Sequence, residues 1–282
     1  MLRFTSTKRL WRLFWLITVV ALASGSAGAQ EGACFNSRVG SIPSRPTVAS
    51  ATDVTQCGVV ELEYGVERQW VSTGVQHSDF SGGIRFGLAK NLDFHWYSGN
   101  VLSFSDPTGT QRGYGDNWFG LKYRYLGQTK HRPSLGVQYE AKMPTGNVLL
   151  GMSSGEVDHA LALIASKDIR RFHFDFNVIP QLIGLPGGAG FDHNAGFAWA
   201  TWLPVTKRVT LVTEPYGYTA LNLQTDGYAS WMAGCSVQVR PRLYLDGGMD
   251  FGVTATAPHS RVYGGVTFAV ANVYRWVVPQ GR

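Results

Sequence analysis

The chain has 282 residues, 34 of them glycine, with 13% aromatic and only 16% charged side chains, where soluble domains carry about a quarter charged. Its formal charge of +6 includes Arg3, Lys8, Arg9 and Arg12; without those four, 21 basic residues face 19 acidic ones, a balance that gives no warrant for a nucleic-acid partner. Beyond the first thirty residues no apolar run approaches the roughly 18 residues of a membrane helix.

The amino-terminal stretch reads as a cleaved signal peptide over residues 1–29. Basic residues precede the apolar run "LFWLITVVALA", and Ala27-Gly28-Ala29 supplies the small-residue cleavage site ahead of Gln30. Residues 30–57 are rich in Ser, Thr and Pro without apolar periodicity, so they are expected to form a periplasmic lead-in segment. Three cysteines in an oxidising compartment allow one pair. Cys34 and Cys57 both lie in the irregular lead-in and are the expected disulfide, worth about 3 kcal/mol in the chain-entropy model. Cys235 then remains as a small apolar residue. No His/Cys cluster points to a metal, and no cofactor is expected.

From Val59 the pattern changes to alternation with period two. Twelve blocks follow, at 59–70, 81–89, 92–99, 114–126, 134–144, 156–167, 171–183, 192–203, 208–219, 229–240, 242–253 and 261–274. Odd-numbered blocks are followed by longer stretches such as "SGNVLSFSDPTGTQRG", and even-numbered ones mostly by tight links such as "KN" and "KDI". Short turns on one side and long loops on the other predict an all-β fold, a transmembrane up-and-down antiparallel β-barrel of about 12 strands. The barrel is expected over 58–276, with a carboxy-terminal tail at 277–282.

A soluble sandwich also alternates, so the chemistry of the two faces decides. In "RFHFDFNVI", Phe172, Phe174, Phe176 and Val178 share one face, and His173, Asp175 and Asn177 share the other. Lipid outside and a polar lumen account for that division, because backbone groups in hydrocarbon must all be paired and only a closed sheet pairs them. Trp70, Trp96, Trp118, Trp199 and Trp231, near block ends, are expected in interfacial girdles. The lumen-lining, candidate pore residues are Glu61, Glu63, Glu67, Arg85, Asp93, His95, Lys122, Arg124, Glu140, Lys142, Asp175, Glu214, Arg240, Asp246 and Asp250. Of these, Glu61, Glu63, Arg85, Lys122, Arg124 and Glu140 carry both signs on early strands and are the first candidates for selectivity.

Five stretches in order, "RPTVASATDVTQCGVVELEYGVE" (45–67), "GIRFGLAKNLDF" (83–94), "GDNWFGLKYR" (115–124), "PSLGVQYEAKMPTG" (133–146) and "SGEVDHALALIASKDIRRFHFDFN" (154–177), resemble exported outer-membrane barrels regarded as transporters of the phenol meta-degradation pathway. The resemblance implies an outer-membrane transporter for phenol or similar aromatics, and it supplies no catalytic residues. This chain departs from the common barrel ending on a terminal aromatic, since "VYRWVVPQGR" runs past Tyr274 and Trp276.

A barrel of this size can enclose a narrow pore or a filled lumen, and alternation leaves both open. Catalysis is not expected. Asp158-His159 and Asp192-His193 are adjacent pairs whose members face opposite sides of a strand, and Ser153 and Ser154, in the loop near Asp158, read as turn chemistry within "SGE". The expected function is an outer-membrane transporter or channel for small aromatic or hydrophobic compounds in a Gram-negative bacterium. The alternatives are a closed structural or rim-binding barrel and, last, a lipid hydrolase. Expected partners are outer-membrane lipid, the small-molecule substrate and the barrel-assembly machinery.

Overall fold

A computed structural model describes residues 34–72, 74–221 and 226–277. The expected signal peptide and the last residues of the tail lie outside the described residues. Thirteen strands form one antiparallel sheet: β1 (Val59–Ser72), β2 (Val75–Ala89), β3 (Leu92–Asp106), β4 (Gly109–Gly113), β5 (Asn117–Leu126), β6 (Ser134–Met143), β7 (Asp158–Ile169), β8 (Phe172–Gly184), β9 (Phe191–Pro204), β10 (Val209–Tyr218), β11 (Tyr228–Arg240), β12 (Leu243–Gly252) and β13 (Ser260–Asn272). Neighbours in sequence pair with one another, and β1 pairs with β13 from Val59↔Asn272 to Trp70↔Ser260. Among the described residues β4 pairs with β3 alone, and β3 pairs directly with β5. The result is a closed barrel of twelve strands with one hairpin projecting from its rim.

That hairpin corrects the sequence reading, which treats residues 100–113 as loop. Ser98 to Asp106 extends β3, and the chain turns back at Asp106-Pro107-Thr108-Gly109, where the Asp106 carboxylate accepts hydrogen bonds from the Thr108 N–H, the Thr108 hydroxyl and the Gly109 N–H. Asp, Pro and Gly there are turn formers, but the strands they join are Ser- and Thr-rich and so carry little hydropathy contrast. Likewise β1 and β2 continue to Ser72 and Val75, leaving a tight link where a longer one is expected.

The wall presents apolar side chains outward. Leu163, Phe176, Trp199 and Trp231 are each about half exposed, at 48, 47, 51 and 49%, on a surface that would be costly in water and suits hydrocarbon. Trp96 stacks on its cross-strand partner Phe119 at 6.1 Å and donates its indole N–H to Asn117 at the strand end, and Trp231 donates to Thr213. These indoles combine an outward-facing ring, 39 and 49% exposed, with a satisfied N–H, as a membrane interface requires. Trp118 departs from the expected girdle: it lies in phase with Lys122 and lines the lumen.

Both described chain ends lie at the end of the barrel with the tight links, called here the turn end; the opposite end is the loop end. A helical turn, Tyr274–Val277, follows β13, and the Tyr274 hydroxyl donates to the Leu88 carbonyl.

Candidate functional site

The polar face encloses a lumen, and the lower part of that lumen is occupied by the chain itself. The segment expected to be a periplasmic lead-in runs inside the barrel from Ser41 to Thr55. Its base is closed by a disulfide between Cys34 and Cys57, whose Cα atoms are 4.7 Å apart. Having no regular secondary structure, the segment must find partners for its N–H groups elsewhere, and the wall supplies acceptors in turn. Glu61 accepts from the Ile42 N–H at 2.6 Å and the Ser41 hydroxyl at 2.5 Å. Glu63 accepts from the Ser44 N–H at 2.7 Å, Glu214 from Val48 and Ala49 at 2.8 and 2.6 Å, and Asp93 from Thr55 at 2.8 Å. Ser50 and Thr52 donate to Asn177 and Ser166. The segment thus visits β1, β10, β8, β7 and β3 in one circuit of the inner wall. Charged carboxylates accept stronger hydrogen bonds than neutral groups do, which gives the inward acids a structural use.

Arg85, 2% exposed, ties these acids together. Its guanidinium lies 3.4 Å from Glu61, 3.4 Å from Glu63 and 3.1 Å from Asp93, and it donates to the Ile42 carbonyl at 2.5 Å. Arg45, from the segment, meets Asp246 on β12 at 3.2 Å. It packs in a notch formed by Gly65 and Gly265, which face each other across β1 and β13; a Cβ at either would fall 2.4 Å from the guanidinium. Gly65→Val should therefore expel Arg45, and amide exchange over residues 41–50 should rise while exchange in the strands is unchanged. Equal protection of that segment in both proteins would remove the anchoring role. On the opposite side the contact is apolar: Ala49 packs with Ala198, Ala200, Val212, Tyr216 and Met232.

Above the segment the lumen opens into cavities of about 560, 310 and 210 Å³, each touched by Val48. The largest faces the loop end, between Glu67, Asp79, Tyr97, Trp118, Lys142 and Arg261, with Met152 from the β6–β7 loop at its upper edge. Arg261 bridges Glu67 at 3.1 Å and Asp250 at 2.5 Å, and the Tyr216 hydroxyl also donates to Asp250 at 2.6 Å.

Most candidates from the sequence reading lie on the inner wall. Glu61, Glu63, Arg85, Asp93, His95, Lys122, Lys142, Asp175, Glu214 and Asp250 are buried there. Glu140 pairs with His95 at 3.0 Å, Lys142 with Asp158 at 2.5 Å, and Arg124 with Asp53 of the segment at 2.7 Å. Asp175 is held by Ser166, Trp202 and His173. Arg240 is the exception. It is exposed at the turn end, where a register shift between Gln238 and Arg240 takes it out of the lumen. Arg261 is legible from alternation but absent from the candidate set, and Trp118, expected in a girdle, belongs to the lumen by its phase with Lys122; Asp79 lies in a stretch without a clear period, and Arg45 in the segment expected outside. The pair Asp158-His159 is split by the wall, with Asp158 bonded to Lys142 inside and His159 to the Tyr139 hydroxyl at 2.8 Å.

No protein-family model matches the chain, and no curated protein matches it. Among solved structures it is similar to an outer membrane channel from Pseudomonas putida F1, with 14% identity over 82% of this chain and 100% of that one and a TM-score of 0.62. The fold is that of an outer-membrane β-barrel. The NanC porin is a second likeness, with 10% identity over 75% of this chain and 100% of the porin and a TM-score of 0.52. Both are similarities of architecture, carried by a closed wall and not by shared side chains.

Proposed function

We propose that the protein is an outer-membrane channel for small aromatic and other hydrophobic compounds, with its loop end toward the cell exterior and its lower lumen closed by its own amino-terminal segment. The observation that carries this reading is the 560 Å³ cavity at the loop end, floored by a segment held through side-chain contacts and not built into the sheet. Such a floor can move without breaking the wall. The aromatic substrate class is supported by Tyr97 and Trp118, which line two of the cavities, and by the resemblance to transporters of the phenol meta-degradation pathway. Outer-membrane lipid and the barrel-assembly machinery are the partners this reading requires.

Purified protein in planar bilayers tests it. We expect small, intermittent conductance steps from the native chain and larger, longer ones from Arg45→Ala, which loses the Asp246 anchor. The competing reading, a closed barrel whose loops do the work, is favoured by the close packing of residues 41–55. Silent membranes from both proteins would decide for it.

A further inference from the structure

The charges outside the lumen are sorted by end. The links between strands at the turn end read "KN" (90–91), "GQTKHRP" (127–133), "RR" (170–171), "VTKR" (205–208) and "PR" (241–242), and "VYRWV" (273–277) follows β13. All six contain Lys or Arg, and none contains Asp or Glu. Their lysines and arginines are all exposed, as is Arg240 beside them, and none forms an ion pair among the described residues. The exposed acids at that end, Asp53 and Asp168, are already engaged, by Arg124 at 2.7 Å and His173 at 2.6 Å. The loop end has the opposite balance: its hairpin and loops carry Asp106, Asp116, Glu156 and Asp226 against Arg112.

Consecutive strands follow one another round the wall, so basic links at every turn make a collar and not a one-sided patch. The collar borders the apolar belt directly. Ile169, Val205, Val239 and Trp276 are exposed, and each lies within two residues of a collar cation. The Arg171 guanidinium sits over the Phe172 ring, 5.5 Å from its centroid. Apolar side chains giving way to unpaired cations match the order met on passing from acyl chains to headgroup phosphates. A partner docking on one side would need cations on that side alone, whereas a collar on all sides of a spanning cylinder meets the leaflet that surrounds it.

We propose that the turn end binds anionic phospholipid, its exposed arginines and lysines holding the headgroup phosphates of the lipids around the rim. A guanidinium offers a fork of donors that matches a phosphate, and an ammonium offers a point charge. Each cation near an anionic surface adds its attraction, which salt screens within a Debye length. The acidic loop end repels the same lipids, so charge alone distinguishes the two leaflets. The inference goes beyond the channel reading and requires only that the wall span a bilayer. In the orientation given above, the leaflet so held is the periplasmic one.

The test titrates the mature chain in neutral detergent micelles with dioleoylphosphatidylglycerol or dioleoylphosphatidylcholine and counts bound lipids by native mass spectrometry. The native protein should prefer phosphatidylglycerol about fivefold, and raising the salt about tenfold should abolish the preference. A variant combining Arg170→Gln, Arg171→Gln, Lys207→Gln and Arg208→Gln clears two links and should fall to about twofold. Asp106→Asn with Glu156→Gln makes the whole protein more basic from the other end and should leave the preference unchanged. Folding of each variant is checked by its heat-dependent shift on electrophoresis. Equal affinity of the native protein for both lipids overturns the proposal, as does an undiminished preference in the folded four-site variant. Binding to purified peptidoglycan without a lipid preference also overturns it and assigns the collar to a polymer. No collar residue lines the cavities described above, so the bilayer currents judge the channel reading separately.

Discussion

Replacing Arg85 by Met should destabilise the folded barrel by about 3–5 kcal/mol, the range for removing one partner from a buried charge cluster. The side chain is 2% exposed and is shared by Glu61, Glu63 and Asp93, whose own exposures are 0, 1 and 0%. Methionine fits the volume but removes the guanidinium that three carboxylates share, leaving Asp93 with His95 at 3.7 Å and Glu61 and Glu63 without the charge that bridged them. The Ile42 carbonyl also loses its donor. The urea midpoint at which the compact electrophoretic form disappears is the measurement. Arg85→Lys should fall between the two proteins, because one ammonium cannot reach all the positions that a planar guanidinium spans. Adding Glu61→Gln and Glu63→Gln to Arg85→Met should recover part of the loss, since the repulsion it left is then removed. A Met variant as resistant as the native chain would mean that these carboxylates are satisfied in some other way.

A mature chain beginning at Gln56, with Cys57→Ser to avoid a stray thiol, should conduct about tenfold more than the native protein in planar bilayers, because polar groups that line an open pore pass hydrated ions. The wall ladders involve none of the removed residues, so closure survives. Glu61, Glu63, Asp93 and Glu214 lose the N–H donors supplied by Ile42, Ser44, Thr55, Val48 and Ala49, and water takes the vacated places. Exposed acids in a pore favour cations, so the enlarged current should also be cation-selective in a potassium chloride gradient. If the shortened chain folds and conducts no more than the native one, residues 41–55 are not what closes the lumen.

Period-two alternation made the wall legible, because lipid outside and charge inside give every second residue an opposite partner phase from lipid-facing Phe176 to enclosed Asp175 and Asn177. The same logic turns Glu61 and Glu63 inward, where both are buried. Where hydropathy contrast was low, as in the Ser- and Thr-rich rim of β3 and β4, strand was read as loop. Where a register shift intervened, as before Arg240, the phase misled.

The course of residues 41–55 was decided by the tertiary structure alone. Their partners are far away in sequence, 201 residues from Arg45 to Asp246 and 166 from Val48 to Glu214, and a segment that borrows its hydrogen bonds from a wall carries no period of its own. Alternation records which side of a strand is wet or dry, a local property that each block states for itself. Whether the enclosed space is empty or filled depends on what a closed cylinder brings within reach, and no single strand contains that information.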